Sequence, residues 1–259
     1  MITNTNFAPL SYSAIKIHGP DAEKYLQGQL TMDVKNLTKN TAQLTAHCNA
    51  QGRMVSLGYL IKKNDFYYYL IPQDIVNSAL KFLEKFVIRS KVFFEILPTE
   101  NFKIFSLWGD LNNMLIWEDI FFKIGPKRSL IFCDDSHYMK QISPDLEQMG
   151  LNLLSEPHWL KNQIEESTAW LDKNTQEKFL PDEIKLEAQN GVSFTKGCFI
   201  GQEIIARMHY LGHSKNHLQI IQSPNLSLRV LDTEPDSGGK IICQVIINLI
   251  NYCLVCVKN

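Results

Sequence analysis

The sequence lacks an unbroken apolar run, an excess of charge of either sign, and any regular spacing of its cysteines. The most apolar stretch, residues 241–257, is interrupted by Gln244, Asn248 and Asn251. A membrane span needs about 20 mostly apolar residues, so none is expected here. The opening residues, Met1-Ile2-Thr3-Asn4-Thr5-Asn6, offer neither a basic region nor an apolar segment, which argues against a signal peptide. The formal net charge is −1. No basic excess marks a nucleic-acid surface, so direct nucleic-acid binding is not expected. The six cysteines, at 48, 133, 198, 243, 253 and 256, read as reduced thiols of a cytoplasmic protein rather than a disulfide framework. Cys253 and Cys256 have metal-knuckle spacing but sit in an apolar run with no turn between them. They read as strand cysteines.

What is present is an ordinary globular composition. Hydrophobic residues make up 45% and charged residues 20%, which excludes a disordered chain. At 259 residues the chain can bury a substantial core and form two or more lobes. A faint internal repeat supports this. Ser13–Pro20 reads as a strand, a glycine and a helix start, and Lys103–Asp110 has the same shape. In the first unit strands follow at 41–48 and 53–61, joined by a turn at Asn49–Gly52, then another at 66–71. Asp74 is placed to cap a helix bearing Ile75, Ala79, Phe82, Leu83 and Phe86. A strand at 91–97 closes the unit. The second unit offers apolar segments at 102–107, 111–117, 129–133, 143–149 and 151–154. A helix opens at Ser155, with Pro157 in its first turn and Leu160, Ile164 and Leu171 as its stripe. Residues 172–177 are polar and read as a loop. Strands are expected at 217–222, 226–231, 240–248 and 251–257.

These elements define an α+β protein. The expected divisions are a first lobe at 1–98, a second at 99–154, a helix and loop at 155–214, and a short C-terminal β lobe at 215–259. The two larger lobes read as ferredoxin-like or half-barrel units, the last as a small barrel-like cap.

One segment carries chemistry. Lys196-Gly197-Cys198-Phe199-Ile200-Gly201-Gln202-Glu203 sets a thiol between glycines, with a cation before it and an amide and a carboxylate after it. Glycines destabilise regular structure and suit a backbone that must approach something closely. A nearby ammonium favours a thiolate, so Lys196 is a candidate activator of Cys198. The plainer reading makes Gln202 and Glu203 helix-start caps. His209, His213 and His217 have helical spacing, but Gly212 and the polar residues 214–216 interrupt it, and no metal site is expected.

This octapeptide resembles the K-G-C-[YF]-x-G-Q-E signature of the YgfZ family, folate-binding proteins similar in fold to the glycine-cleavage T-protein, an aminomethyltransferase. Residues 19–34, beginning Gly19-Pro20-Asp21, and Ala46-His47-Cys48-Asn49-Ala50-Gln51-Gly52-Arg53-Met54 support the resemblance in the right order. It implies a three-lobed ring around a channel that binds tetrahydrofolate or a derivative. It also implies a role in maintaining iron–sulfur enzymes, and through them tRNA modification, with those enzymes or their assembly factors as partners. The folate-contacting aromatics fall on Tyr12 and Trp159. The family's Ile-Glu-Ala-Gly helix is Ile164-Glu165-Glu166-Ser167 here, so Glu165 is kept and the glycine is not. Gly197, Gly201, Gln202 and Glu203 complete the implied binding set, with Cys198 and Lys196 as the reactive pair at the mouth of a pterin-sized cavity bordered by Trp159. The T-protein's transfer aspartate falls on Leu57, which argues against aminomethyl transfer. The alternatives are a folate-dependent one-carbon transferase with a substitute carboxylate and a non-catalytic interaction protein. The tail is shorter than the family's, implying a reduced third lobe.

Overall fold

The computed structural model describes residues 5–111, 119–134, 138–211 and 216–258. Apart from Leu111, the expected element at 111–117 lies outside them.

Three sheets organise the described residues. The first has the order β3-β4-β5-β2-β6 and uses β2 (Tyr12–His18), β3 (Gln43–Cys48), β4 (Met54–Lys63), β5 (Phe66–Pro72) and β6 (Phe93–Ile96). The second has the order β10-β1-β7-β9-β8, from β1 (Asn6–Pro9), β7 (Lys103–Trp108), β8 (Phe121–Gly125), β9 (Arg128–Cys133) and β10 (Asn152–Leu153). The third is β11-β13-β12, from β11 (Asn216–Ser223), β12 (Lys240–Ile247) and β13 (Ile250–Lys258). Among the described residues five α-helices accompany them: α1 (Ala22–Gln29), α2 (Val76–Glu84), α3 (Ile142–Gln148), α4 (Glu156–Glu165) and α5 (Gln202–Leu211). None of the described helices is long and apolar enough to cross a membrane.

The fold is α+β, as the sequence implies. The two repeat units are β2 and β7, each an interior strand of its five-stranded sheet. Each is followed by a glycine at positive φ, Gly19 at 112° and Gly109 at 122°. β1 has no counterpart in the sequence reading. It pairs antiparallel with β7 from Asn6–Trp108 to Pro9–Phe105, so β1 joins the second sheet ahead of β2 in the first. The largest core runs continuously from the first sheet through Ile104 and Phe132 of the second to Ile242 and Leu254 of the third.

Four local expectations are corrected. The third sheet is open, three-stranded and not barrel-like. Residues 226–231 form turns, not a strand. The Arg229 guanidinium donates to the carbonyls of Leu226 and Leu228, and Asp232 accepts the Arg229 amide at 2.7 Å. Such local bonds compete with a ladder. Asp74 caps no helix; it accepts the Lys173 amide at 3.0 Å. Helix α4 stops at Glu165, because Ser167 takes a φ of 52°, so Leu171 lies beyond its stripe.

Candidate functional site

Two regions hold the residues the sequence singles out. The first surrounds α4, whose one-hundred-degree rotation per residue sends neighbouring side chains to different environments. Glu156 and Leu160, one turn apart, face a cavity of about 440 Å³. Ser11, Tyr12, Pro72, Gln73, Asp74, Trp170, Leu171 and Asp172 complete its lining. The Glu156 carboxylate accepts from the Ser11 amide at 2.9 Å and from its hydroxyl at 2.7 Å. Asp74 and Asp172 accept backbone amides of the 173–175 loop.

Trp159 turns the other way. It is wholly buried, with its ring centroid 5.7 Å from that of Trp108 and the Arg128 guanidinium 5.9 Å from its own. Gln163, one turn on, is also buried and accepts from the Tyr59 hydroxyl at 3.4 Å. Trp159 Nε1, Gln163 Nε2 and Arg128 Nη1 are enclosed without a hydrogen-bond partner in the protein. Buried donors normally find acceptors, so this set is suited to acceptor-rich company such as ordered water. Burial pushes the Tyr12 phenol far above its ordinary value, with Tyr59 and Glu156 adding to the shift, so it stays a neutral donor. Glu165 points to solvent and pairs with Lys161 at 2.6 Å.

The second region is the Lys196–Glu203 loop. Lys196 is buried, and its Nζ donates to the carbonyls of Leu30 at 2.7 Å and Met32 at 2.6 Å. Desolvation lowers its pKa from 10.5 to about 8, opposed by the charge of Asp33. The ammonium is thus committed to backbone carbonyls, which fastens the loop to the end of α1. Gly201 sits at φ 81° against the Asn49–Gly52 turn; a Cβ there would lie 2.6 Å from the Asn49 carbonyl oxygen and 2.9 Å from the Gly52 Cα. The glycine is required by this approach of two backbones. Gly197 meets nothing, and Cys198 is exposed, the other five cysteines being buried. Gln202 and Glu203 open α5, and Glu203 lies in its acidic first turn.

The lining of the 440 Å³ cavity thus includes Tyr12 but neither Trp159 nor any residue of the Lys196–Glu203 loop. The expected picture of a thiol and an indole bordering one cleft is not what the geometry gives. The sulfur is accessible, and the indole is interior. Glu156 and Trp170 escaped the sequence reading. The available signal for Glu156 was its spacing of four from Leu160. Gln163 could have been flagged as a polar residue four positions beyond Trp159 on a buried face.

No family model matches the chain. Among curated proteins it is 31% identical over 230 residues to the tRNA-modifying protein YgfZ of Colwellia psychrerythraea, covering 82% of this chain and 69% of that protein. It is 29% identical to the tRNA-modifying protein YgfZ of Edwardsiella ictaluri, covering 89% and 77%. The chain belongs to the YgfZ family. An uncharacterized protein of Haemophilus influenzae is similar too, at 33% identity over 213 residues, with 82% of this chain and 71% of that one covered. The glycine cleavage system aminomethyltransferase T of Bartonella henselae superimposes with a TM-score of 0.68 over 99% of this chain and 79% of its own, at 13% identity. This YgfZ-family chain therefore has a T-protein-like fold.

Proposed function

We propose that the chain is a tetrahydrofolate-binding accessory protein of the cytoplasm that supports iron–sulfur enzymes, and through them tRNA modification. The single observation that carries this reading is the chemistry of the 440 Å³ cavity, which falls within the usual size range of ligand pockets. A pterin is flat, with ring N–H and amino donors along one edge. Tyr12 and Trp170 offer aromatic surface, and Glu156, Asp74 and Asp172 offer acceptors. Cys198 is the accessible thiol through which an iron–sulfur enzyme or its assembly factor is met.

Binding is favoured over one-carbon transfer. A transferase needs a carboxylate in place of Leu57, which is buried in β4. The three carboxylates of the cavity already accept backbone amides, which makes them structural acceptors before they are bases. Titration with tetrahydrofolate, followed by tryptophan fluorescence, tests the reading. Saturable quenching that Trp170→Phe abolishes and Glu156→Gln weakens about tenfold is expected. No binding at millimolar ligand removes the folate half.

A further inference from the structure

A second cleft lies beside the Lys196–Glu203 loop. Its volume is about 680 Å³, and Asp33, Glu187, Phe194, His209 and Tyr210 are among its lining residues. Phe194 and His209 stack with ring centroids 3.9 Å apart and planes 19° from parallel. Tyr210 stands edge-on to both, at 5.9 Å and 4.6 Å, and is 67% exposed. Glu187 Oε2 lies 3.0 Å from His209 Nδ1. Asp33 accepts through Oδ1 from Gln27 and from the Lys35 amide. The described lining contains no lysine or arginine. Lys196, close behind, is held on the Leu30 and Met32 carbonyls.

We propose that this cleft docks an arginine side chain presented by a protein partner. A guanidinium is planar, stacks on aromatic faces and satisfies carboxylates through a fork of donors. An exposed tyrosine and two carboxylates that line one cleft supply both requirements. The same carboxylates repel phosphates, so a protein segment fits better than an RNA strand. None of these residues lines the cavity assigned to folate, and the two proposals stand independently.

The test uses the full chain and three probes: acetyl-Gly-Arg-Gly-amide, its citrulline counterpart, and oligouridylate, each titrated while the Tyr210 ring resonances are followed by NMR. The arginine peptide should shift those resonances saturably and bind about fivefold tighter than the uncharged citrulline peptide. Tyr210→Ala, read on the peptide resonances, and Glu187→Gln should each weaken it about threefold. Both residues are exposed, and an unchanged melting curve checks the fold of each variant. The proposal is overturned by absent binding, by equal binding of the citrulline peptide, by insensitivity to both variants, or by oligouridylate displacing the arginine peptide.

Discussion

The Lys196–Glu203 loop and helix α4 were both singled out from sequence, yet the fold treats them differently. In the loop, backbone contacts fix position. Lys196 ties it to two carbonyls, and Gly201 lets it lie on the Asn49–Gly52 turn. Cys198 is left outside and accessible. On α4, rotation about the helix axis decides everything. Three adjacent faces give Glu156 a cavity wall, Trp159 the interior and Glu165 the solvent. A loop whose residues answer local backbone needs can be read in order. A helix must be read by face, and which face meets which neighbour is a tertiary fact.

The sharpest test of that contrast is the pair Trp159 and Glu165. Trp159→Ala empties an enclosed site and should cost about 4 kcal/mol. Glu165→Ala removes an exposed ion pair and should cost under about 0.5 kcal/mol. Urea unfolding midpoints of both variants measure the difference. If Trp159→Ala is nearly as mild as Glu165→Ala, the indole is not part of the core and the assignment of faces on α4 is wrong.

The same contrast explains what could be read in advance. The strand-glycine repeat, the Asn49–Gly52 turn and the signature loop carry their constraints in neighbouring residues, and each was legible. The β1 strand was not, because Asn6–Pro9 is four residues long and its partners are Lys103–Trp108 and Asn152–Leu153. Nothing local announces those pairings. Residues 226–231 misled for the opposite reason: their apolar content reads as strand, while the hydrogen bonds of Arg229 and Asp232 make turns. At the site, Tyr12 was found through the family resemblance, and it is the first residue of β2. Glu156 and Trp170 were missed because their role depends on which elements converge on the cavity.

Within the loop, two glycines separate geometry from identity. Gly201→Ala forces a side chain into the left-handed region and against the Asn49 carbonyl, and should cost roughly 3 kcal/mol. Gly197→Ala meets open space and should stay within about 0.5 kcal/mol. Thermal melts of the two variants decide it. Equal destabilisation would mean that both glycines serve flexibility and that no close approach exists.

The smallest effect distinguishes a structural lysine from a reactive one. Burial holds the Lys196 pKa near 8, below its ordinary 10.5. Between those values the unfolded chain keeps a proton that the folded chain has released, so raising the pH stabilises the fold through this group. The contribution is complete above the unfolded value, is lost as pH falls toward 8, and is constant below that. Lys196→Met removes it along with two hydrogen bonds. Urea midpoints compared at about pH 7.5 and pH 9.5 should rise more steeply in the parent than in the variant. Titrations common to both proteins cancel in that difference. Parallel pH dependence in the two would place the ammonium in solvent, free to reach Cys198, and would restore the lysine to the reactive role its position in the motif suggests.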